Sequence, residues 1–367
     1  MTVQSQIQDF TPPPDGMGRR AMMQAWSALQ MPLIATVAGL LVTSVLLVSI
    51  GVNPLDVYAA LLRGALGSLF GVSSTLRWAT PLILAGLAVT IGFKAGLFNA
   101  GLSGQIYVGG FVGSLIGFTV TLPWAIHPTV AIIGGGLAGA AWAFIPAILR
   151  RYLGASEIVT SLMLWYVAIG ICDFLVRQFF RDPTSAAFLM SVKVVPDAVL
   201  PSIFPVGNVS LMIFVSVAAA LLCAHLMARS ATGYEIRMTG ANSTFAHYSG
   251  VPIGRRIILA FCLSGFIAGV IGAAESIGIN QRFVSQFDPG FGFDGFLVAL
   301  LANGSLAGCI PAGLFLGILK AGGAEIERTL GLSKSIIWIL QGSIILFVSA
   351  HRLRYHTAWL FGRLTGR

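Results

Sequence analysis

The sequence predicts an all-α polytopic membrane protein of about ten transmembrane helices, built as an inverted repeat with discontinuous helices. Three observations carry this expectation. Hydrophobic residues make up 56% of the 367-residue chain and charged residues only 10%, against about 25% charged in a typical soluble domain. Mean hydropathy is +0.87, and the polar residues gather between apolar runs of near-spanning length. A Phe-[Asn/Asp]-x-Gly phrase also occurs twice, as Phe98-Asn99-Ala100-Gly101 and Phe287-Asp288-Pro289-Gly290, each time ahead of an apolar segment.

Residues 1–30 are polar, with Pro12-Pro13-Pro14, and read as a tail ending in a short surface helix. The first span covers 33–50 and lacks the small-x-small site of a cleaved signal peptide. Asn53-Pro54 starts a short amphipathic helix through Arg63. Thr80-Pro81 opens a second span to Phe93, and after a break at 94–101 a third runs over 102–121. The fourth, 128–149, carries Gly134, Gly135, Gly136 and Gly139 as a small-residue packing face. A fifth follows at 158–176. Residues 177–208 form the longest polar connection, with Pro183, Pro196, Pro201 and Pro205. Further spans fall at 209–228, 257–278, 292–302 and 306–319; Glu325, Glu327 and Arg328 then precede a tenth at 335–350. The second, eighth and ninth are shorter than the roughly 20 residues of a full crossing, as expected of discontinuous helices. Residues 351–367 form a basic tail.

An even number of spans puts both termini on one side. With the termini inside, 13 Lys and Arg fall inside and 9 outside, which accounts for all 22. Every adjacent arginine pair is then inside, so both termini are expected in the cytoplasm. The segments entered from Phe98 and Phe287 run in opposite directions, which makes residues 80–176 and 257–350 candidate inverted halves of a membrane domain at 31–350. The net charge of +9 lies in short loops beside apolar runs, which fits a lipid bilayer and excludes nucleic acid. Cys172, Cys223, Cys262 and Cys309 lack metal or redox spacing, and no cofactor is expected.

Between Gly92 and Gly110 the apolar pattern is interrupted by six glycines, Lys94, Asn99 and Gln105. A helix breaks inside a bilayer only where protein or a water-filled cavity satisfies its backbone. This stretch therefore reads as part of a substrate path, or as a close interhelical contact. Asn99 and Gln105 both donate and accept hydrogen bonds, which suits hydroxyls and base edges, or serves the broken backbone. Phe98, Tyr107, Phe293 and Phe296 are candidate aromatic walls. Asp294 and Asn303 join the path candidates, Asp294 with capping of its helix as the alternative. Glu157 is expected to cap a helix. Glu275, deep in an apolar segment, needs a partner, and Arg282 is a candidate.

Residues 229–254 read RSATGYEIRMTGANSTFAHYSGVPIG. A short helix is expected over 241–249, with turns at Gly240 and Gly250. Alone, the loop reads as an amphipathic connector or as a docking element. The chain has no Gly-Lys dipeptide, hence no phosphate-binding loop of the ATPase type, and no nucleophile–base pair. It is not expected to be an enzyme.

Four stretches resemble one family: GFKAGLFNAGLSGQ at 92–105, GASEIVTSLMLWY at 154–166, GYEIRMTGANSTFAHYSG at 233–250 and GFGFDGFLVALLANGSLAG at 290–308. They are similar to the permease subunits of bacterial ABC importers of the branched-chain amino acid, ribose and nucleoside type. The likeness covers roughly residues 80–350 and is nearest the longer permease of nucleoside importers. It implies a multi-pass protein of the inner membrane. It also implies a second, shorter permease, a separate ATPase subunit and a substrate-binding lipoprotein or periplasmic protein. The loop at 229–254 would then couple to the ATPase through Gly240, Ala241, Asn242, Phe245, Ala246 and Gly250. In that reading small Ala241 and Ala246 permit close approach and Phe245 is an apolar anchor. Ala100, Ser103, Ser156 and Trp165 depart from residues common in relatives, and Trp165 adds a flat surface able to stack on a base. A simple sugar such as ribose is the alternative substrate, and an ion-coupled secondary transporter the alternative class.

Overall fold

The computed structural model describes residues 36–184, 188–203, 208–333, 335–343 and 346. The expected tails at 1–30 and 351–367, and the end of the tenth span, lie outside these residues. The described chain is helical, and its only sheet-like contacts are isolated bridges such as Arg181–Ser191.

Local chemistry sets most boundaries. Helix α1 covers Thr36–Ser49. In α2, Pro54–Leu66, Asn53 caps the first turn by accepting from the Leu55 amide, and Pro54 occupies a position that needs no donor. Helix α3, Leu69–Lys94, is 26 residues long and starts at Ser68, whose hydroxyl accepts from the Gly71 amide. The second span is therefore not short, and Thr80-Pro81 does not open it. Pro81 sits within the helix, as membrane helices tolerate, and Thr80 donates to the Leu76 carbonyl at 2.9 Å. Helix α4, Leu102–Thr119, follows the break. Then come α5, His127–Leu153, and α6, Glu157–Leu175, which ends in a π turn at Val176–Phe180.

Helix α7 is Met212–Arg229. The next loop holds two helices, α8, Ala231–Ala241, and α9, Ser243–Tyr248. Helix α10, Ile253–Ala274, also ends in a π turn, Glu275–Asn280. Helix α11, Phe291–Leu301, has 11 residues and is as short as expected. Helix α12, Cys309–Leu330, has 22. The ninth span is thus full length, and Glu325, Glu327 and Arg328 belong to its last turns instead of following it. Arg328 bonds Glu325 one turn back at 2.7 Å, a pairing the helix itself favours. A last helix, α13, starts at 335 and is described through 343.

Among the described residues, six helices are long and apolar enough to cross a membrane: α3, α5, α6 and α10 (the last two with their π turns), α7 and α12. Helices α3 and α10 form the centre. Helix α10 packs on α5 and α4, while α3 packs on α12 and α11. Small residues permit this closeness. A Cβ on Gly269 of α10 would lie 2.1 Å from the Gly135 carbonyl oxygen of α5. The expected glycine face of α5 is thus a helix contact. Helices α8 and α9 lie at one end, α8 against the last turn of α3; the loops at 188–203 and 281–290, joined by the Ser191 amide to the Phe283 carbonyl, lie at the other.

Candidate functional site

The break after α3 is a tight turn. Gly96 adopts φ +72, and the Leu97 amide returns to the Gly92 carbonyl at 2.9 Å. Asn99 and Gln105 then bond each other reciprocally: Asn99 Nδ2 donates to Gln105 Oε1 at 2.8 Å, and Gln105 Nε2 donates to Asn99 Oδ1 at 3.0 Å. Asn99 also donates to Ser264 Oγ on α10 at 3.0 Å. Both amides are buried. Their mutual bonds, with the one to Ser264, pin the broken helix to α10.

Tyr107 is buried beneath the loop at 281–290. Its hydroxyl donates to Asp173 Oδ1 at 2.5 Å and accepts from the Gln286 amide at 3.0 Å. Ser285 donates to the other Asp173 oxygen at 2.7 Å. The Tyr107 ring stacks on Phe287 at 5.6 Å. The result is a rigid plug that ties α4, α6 and this loop together. Above it, Arg282 pairs with Asp182 at 3.0 Å. The Thr184 hydroxyl and amide, with the Arg282 charge, hold the Asp182 carboxyl below its ordinary value.

The remaining aromatics do reach the surface. Phe98 stacks on Phe296 at 4.5 Å and 14°. Phe293, one turn before Phe296, is 55% exposed and meets Trp165 edge-on at 5.8 Å. Trp165 stacks on exposed Tyr166 at 5.2 Å. Gly104 makes room for this arrangement, because a Cβ there would lie 2.7 Å from Trp165 Cα. Phe98, Trp165, Tyr166, Phe293 and Phe296 thus form one aromatic face built from the break, α6 and α11.

Behind that face lies a chain of charges. Asp294 pairs with Lys320 Nζ at 2.6 Å. Lys320 lies 5.3 Å from the Trp78 ring, and Arg77 lies 4.2 Å over it. Arg77 pairs with Glu275 at 2.9 Å. The partner of Glu275 is therefore Arg77 on α3, not Arg282. Asp294 does not cap α11. Asp288 does so, accepting from the Gly290 amide at 3.0 Å and the Phe291 amide at 2.7 Å. Glu157 makes no capping bond either and pairs with Arg150 at 2.8 Å. Sequence reasoning left out Arg77, Trp78, Lys320 and Asp173. Their signal was present, since an ionisable residue in an apolar segment demands a partner.

At the α8 end, Asn303 takes φ +51 in the α11–α12 turn and lines an open pocket beside Lys94 and Arg237. It stands apart from the aromatic face. Helix α9 matches the expected short helix: Asn242 accepts from the Phe245 amide at 2.9 Å, and Gly250 turns the chain at φ +79. Phe245 is 59% and Tyr248 85% exposed, but Ala246 is fully buried. Ala246 therefore packs inward and offers no surface for close approach, while Ala241 is exposed. Gly240 is not a turn either. It lies in α8, where a Cβ would meet the Lys94 carbonyl oxygen at 2.3 Å. Glu235 and Arg256 form an ion pair that fastens α8 to α10.

Residues 71–349 match the family described as branched-chain amino acid transport system / permease component. The chain belongs to this family. Three relatives cover nearly its full length. The glucose ABC transporter permease protein of Haloferax volcanii is 34% identical over 94% of this chain and 93% of its own. The guanosine ABC transporter permease protein of Bacillus subtilis is 31% identical over 91% of this chain and 97% of its own. The nucleoside ABC transporter permease protein of Lactococcus lactis is 31% identical over 87% of this chain and 90% of its own. The permease is thus a multi-pass ABC transport component, and these three relatives are one sugar permease and two nucleoside permeases.

Proposed function

We propose that this permease is one subunit of an ATP-driven importer and moves nucleosides across the inner membrane. The observation that carries the substrate class is the aromatic face on which exposed Phe98, Tyr166 and Phe293 surround half-buried Trp165. Flat rings at a surface suit stacking on a base, and two nucleoside-transporting relatives agree with this. The face lies on one side of a single chain. A second, shorter permease would close it into a pathway, a separate ATPase would drive it and a substrate-binding lipoprotein or periplasmic protein would load it.

The proposed topology has ten crossings, formed by α1, α3, α4, α5, α6, α7, α10, α11, α12 and α13, with both termini in the cytoplasm. Helices α8 and α9 then lie on the cytoplasmic side, where the segment at 229–254 would dock on the ATPase. The two candidate halves, 80–176 and 257–350, match α3 with α10, α4 with α11 and α5 with α12. Exchanging the halves turns the α10–α5 contact into α3–α12, and the α10–α4 contact into α3–α11. All four contacts are present, which supports the repeat.

The second reading is a simple sugar, favoured by the glucose permease relative at 34% identity. Uptake of labelled guanosine, ribose and glucose into cells expressing the whole transporter separates the two. Nucleoside uptake that excess sugar does not compete away is expected. Uptake of sugar alone overturns the nucleoside reading and leaves the importer standing.

A further inference from the structure

We propose that the pocket between the ends of α3, α7 and α8 binds the phosphate of an anionic membrane lipid, held by Lys94 and Arg237. The proposal rests on the orientation given above, which places this end at the cytoplasmic leaflet. The pocket is open, with a volume of about 330 Å³, and is lined by Lys94, Ala224, Ala228, Arg237, Asn303 and Ser305 among others. No carboxylate lines it.

Among the described residues, neither the Lys94 nor the Arg237 side chain has an ion pair or hydrogen bond. Of the other cations at this end, Arg150 pairs with Glu157, Arg256 with Glu235 and Arg151 lies over the Tyr152 ring, while Arg229 and Arg255 are exposed and lie outside this pocket. The two cations are held together by the backbone. The Gly240 contact clamps α8 against the last turn of α3. Arg237, three residues before Gly240, shares its helix face and so comes beside Lys94. Two like charges lining one pocket repel each other, and an anion between them turns that cost into attraction.

The source of the anion follows from α7. Leu221 is exposed and lies three and seven residues before Ala224 and Ala228, on the same helix face. On that face it would offer an acyl chain an apolar track leading away from the pocket. A soluble phosphate would use the two cations but not the track. A phospholipid uses both, as basic pockets between helices on the cytoplasmic side do.

The test titrates the purified full-length chain, kept with its co-expressed partner subunits, with phosphatidylglycerol and phosphatidylethanolamine, and reads bound lipid by native mass spectrometry. Phosphatidylglycerol is expected to bind about tenfold or more tightly than phosphatidylethanolamine. The double variant Lys94→Gln/Arg237→Gln is expected to lose that preference. The charge-preserving Lys94→Arg/Arg237→Lys is expected to keep it, and Arg255→Gln, at an exposed site on the same end, leaves it unchanged. Equal binding of the two lipids by the unaltered chain overturns the proposal. So does an unchanged preference in the neutral double variant. Displacement of the lipid by excess inorganic phosphate would assign the pocket to a soluble anion and overturn the lipid assignment.

Discussion

Individual polar residues inside this protein mainly hold broken helices in place. The Asn99–Gln105 pair satisfies itself and Ser264, and Tyr107 is tied to Asp173 and the 281–290 loop. Arg77 and Glu275 give the sharpest test. Their side chains are 18% and 9% exposed, so removing one partner strands the other charge away from water. Glu275→Gln or Arg77→Gln is expected to destabilise the protein by about 3–5 kcal/mol, while Arg77→Met/Glu275→Leu together cost markedly less. Thermal unfolding of the three variants in one detergent checks this. A double variant as damaged as both singles combined would show that the pair does more than compensate itself. The need of Glu275 for a partner was legible in the sequence. The partner was not, because Arg77 is 198 residues away and only folding brings α3 beside α10.

Elements were legible where their chemistry is local and obscure where packing decides. Asn53-Pro54 announced α2, and Gly250 marked the end of α9, while Gly240, the turn expected at its start, lies inside α8. Thr80-Pro81 misled because the buried environment of α3 carries a proline that a sequence rule treats as a boundary. Helix α8 was missed since Gly233 and Gly240 look like breakers, yet each is a place of close backbone approach. The same distinction predicts which glycines tolerate a side chain. Gly269→Val in α10 must push aside the Gly135 backbone of α5, and is expected to cost at least about 1–3 kcal/mol and lower the folded yield. Gly170→Ala in α6 meets nothing within 4 Å and is expected to be neutral, with size-exclusion profiles as the readout. In α9, Phe245→Ala is expected to reduce substrate-stimulated ATP hydrolysis by the reconstituted complex about tenfold without loss of assembly. Ala246→Asp, at a buried site, is expected to impair assembly itself. Full coupling in Phe245→Ala would remove that ring from the docking surface.

At the scale of the whole molecule, orientation decides how every feature functions. The repeated Phe-[Asn/Asp]-x-Gly phrase was the sequence clue to two related halves. Each copy does precede a helix, α4 or α11, and the two N-termini meet, since a Cβ on Gly292 would lie 2.3 Å from Ser103 Oγ. Composition and charge counting alone could not say which helices would correspond under the proposed repeat, because that depends on contacts such as α10 with α5 and α3 with α12. If the halves are inverted, the loops following α6 and α7 must open on opposite sides of the membrane. Ser243 in α9 and Thr184 in the long connection after α6 are both exposed and probe those sides. Single cysteines at each, introduced after the four native cysteines are replaced, are treated in intact cells with a membrane-impermeant maleimide. Thr184→Cys is expected to react from outside, and Ser243→Cys only after the membrane is permeabilised. Reaction of Ser243→Cys in intact cells reverses the topology, removes the ATPase-docking role of α9 and moves the Lys94–Arg237 pocket to the opposite leaflet. Reaction of both positions from one side would require an odd number of crossings fewer between them, and the inverted repeat would fall with it.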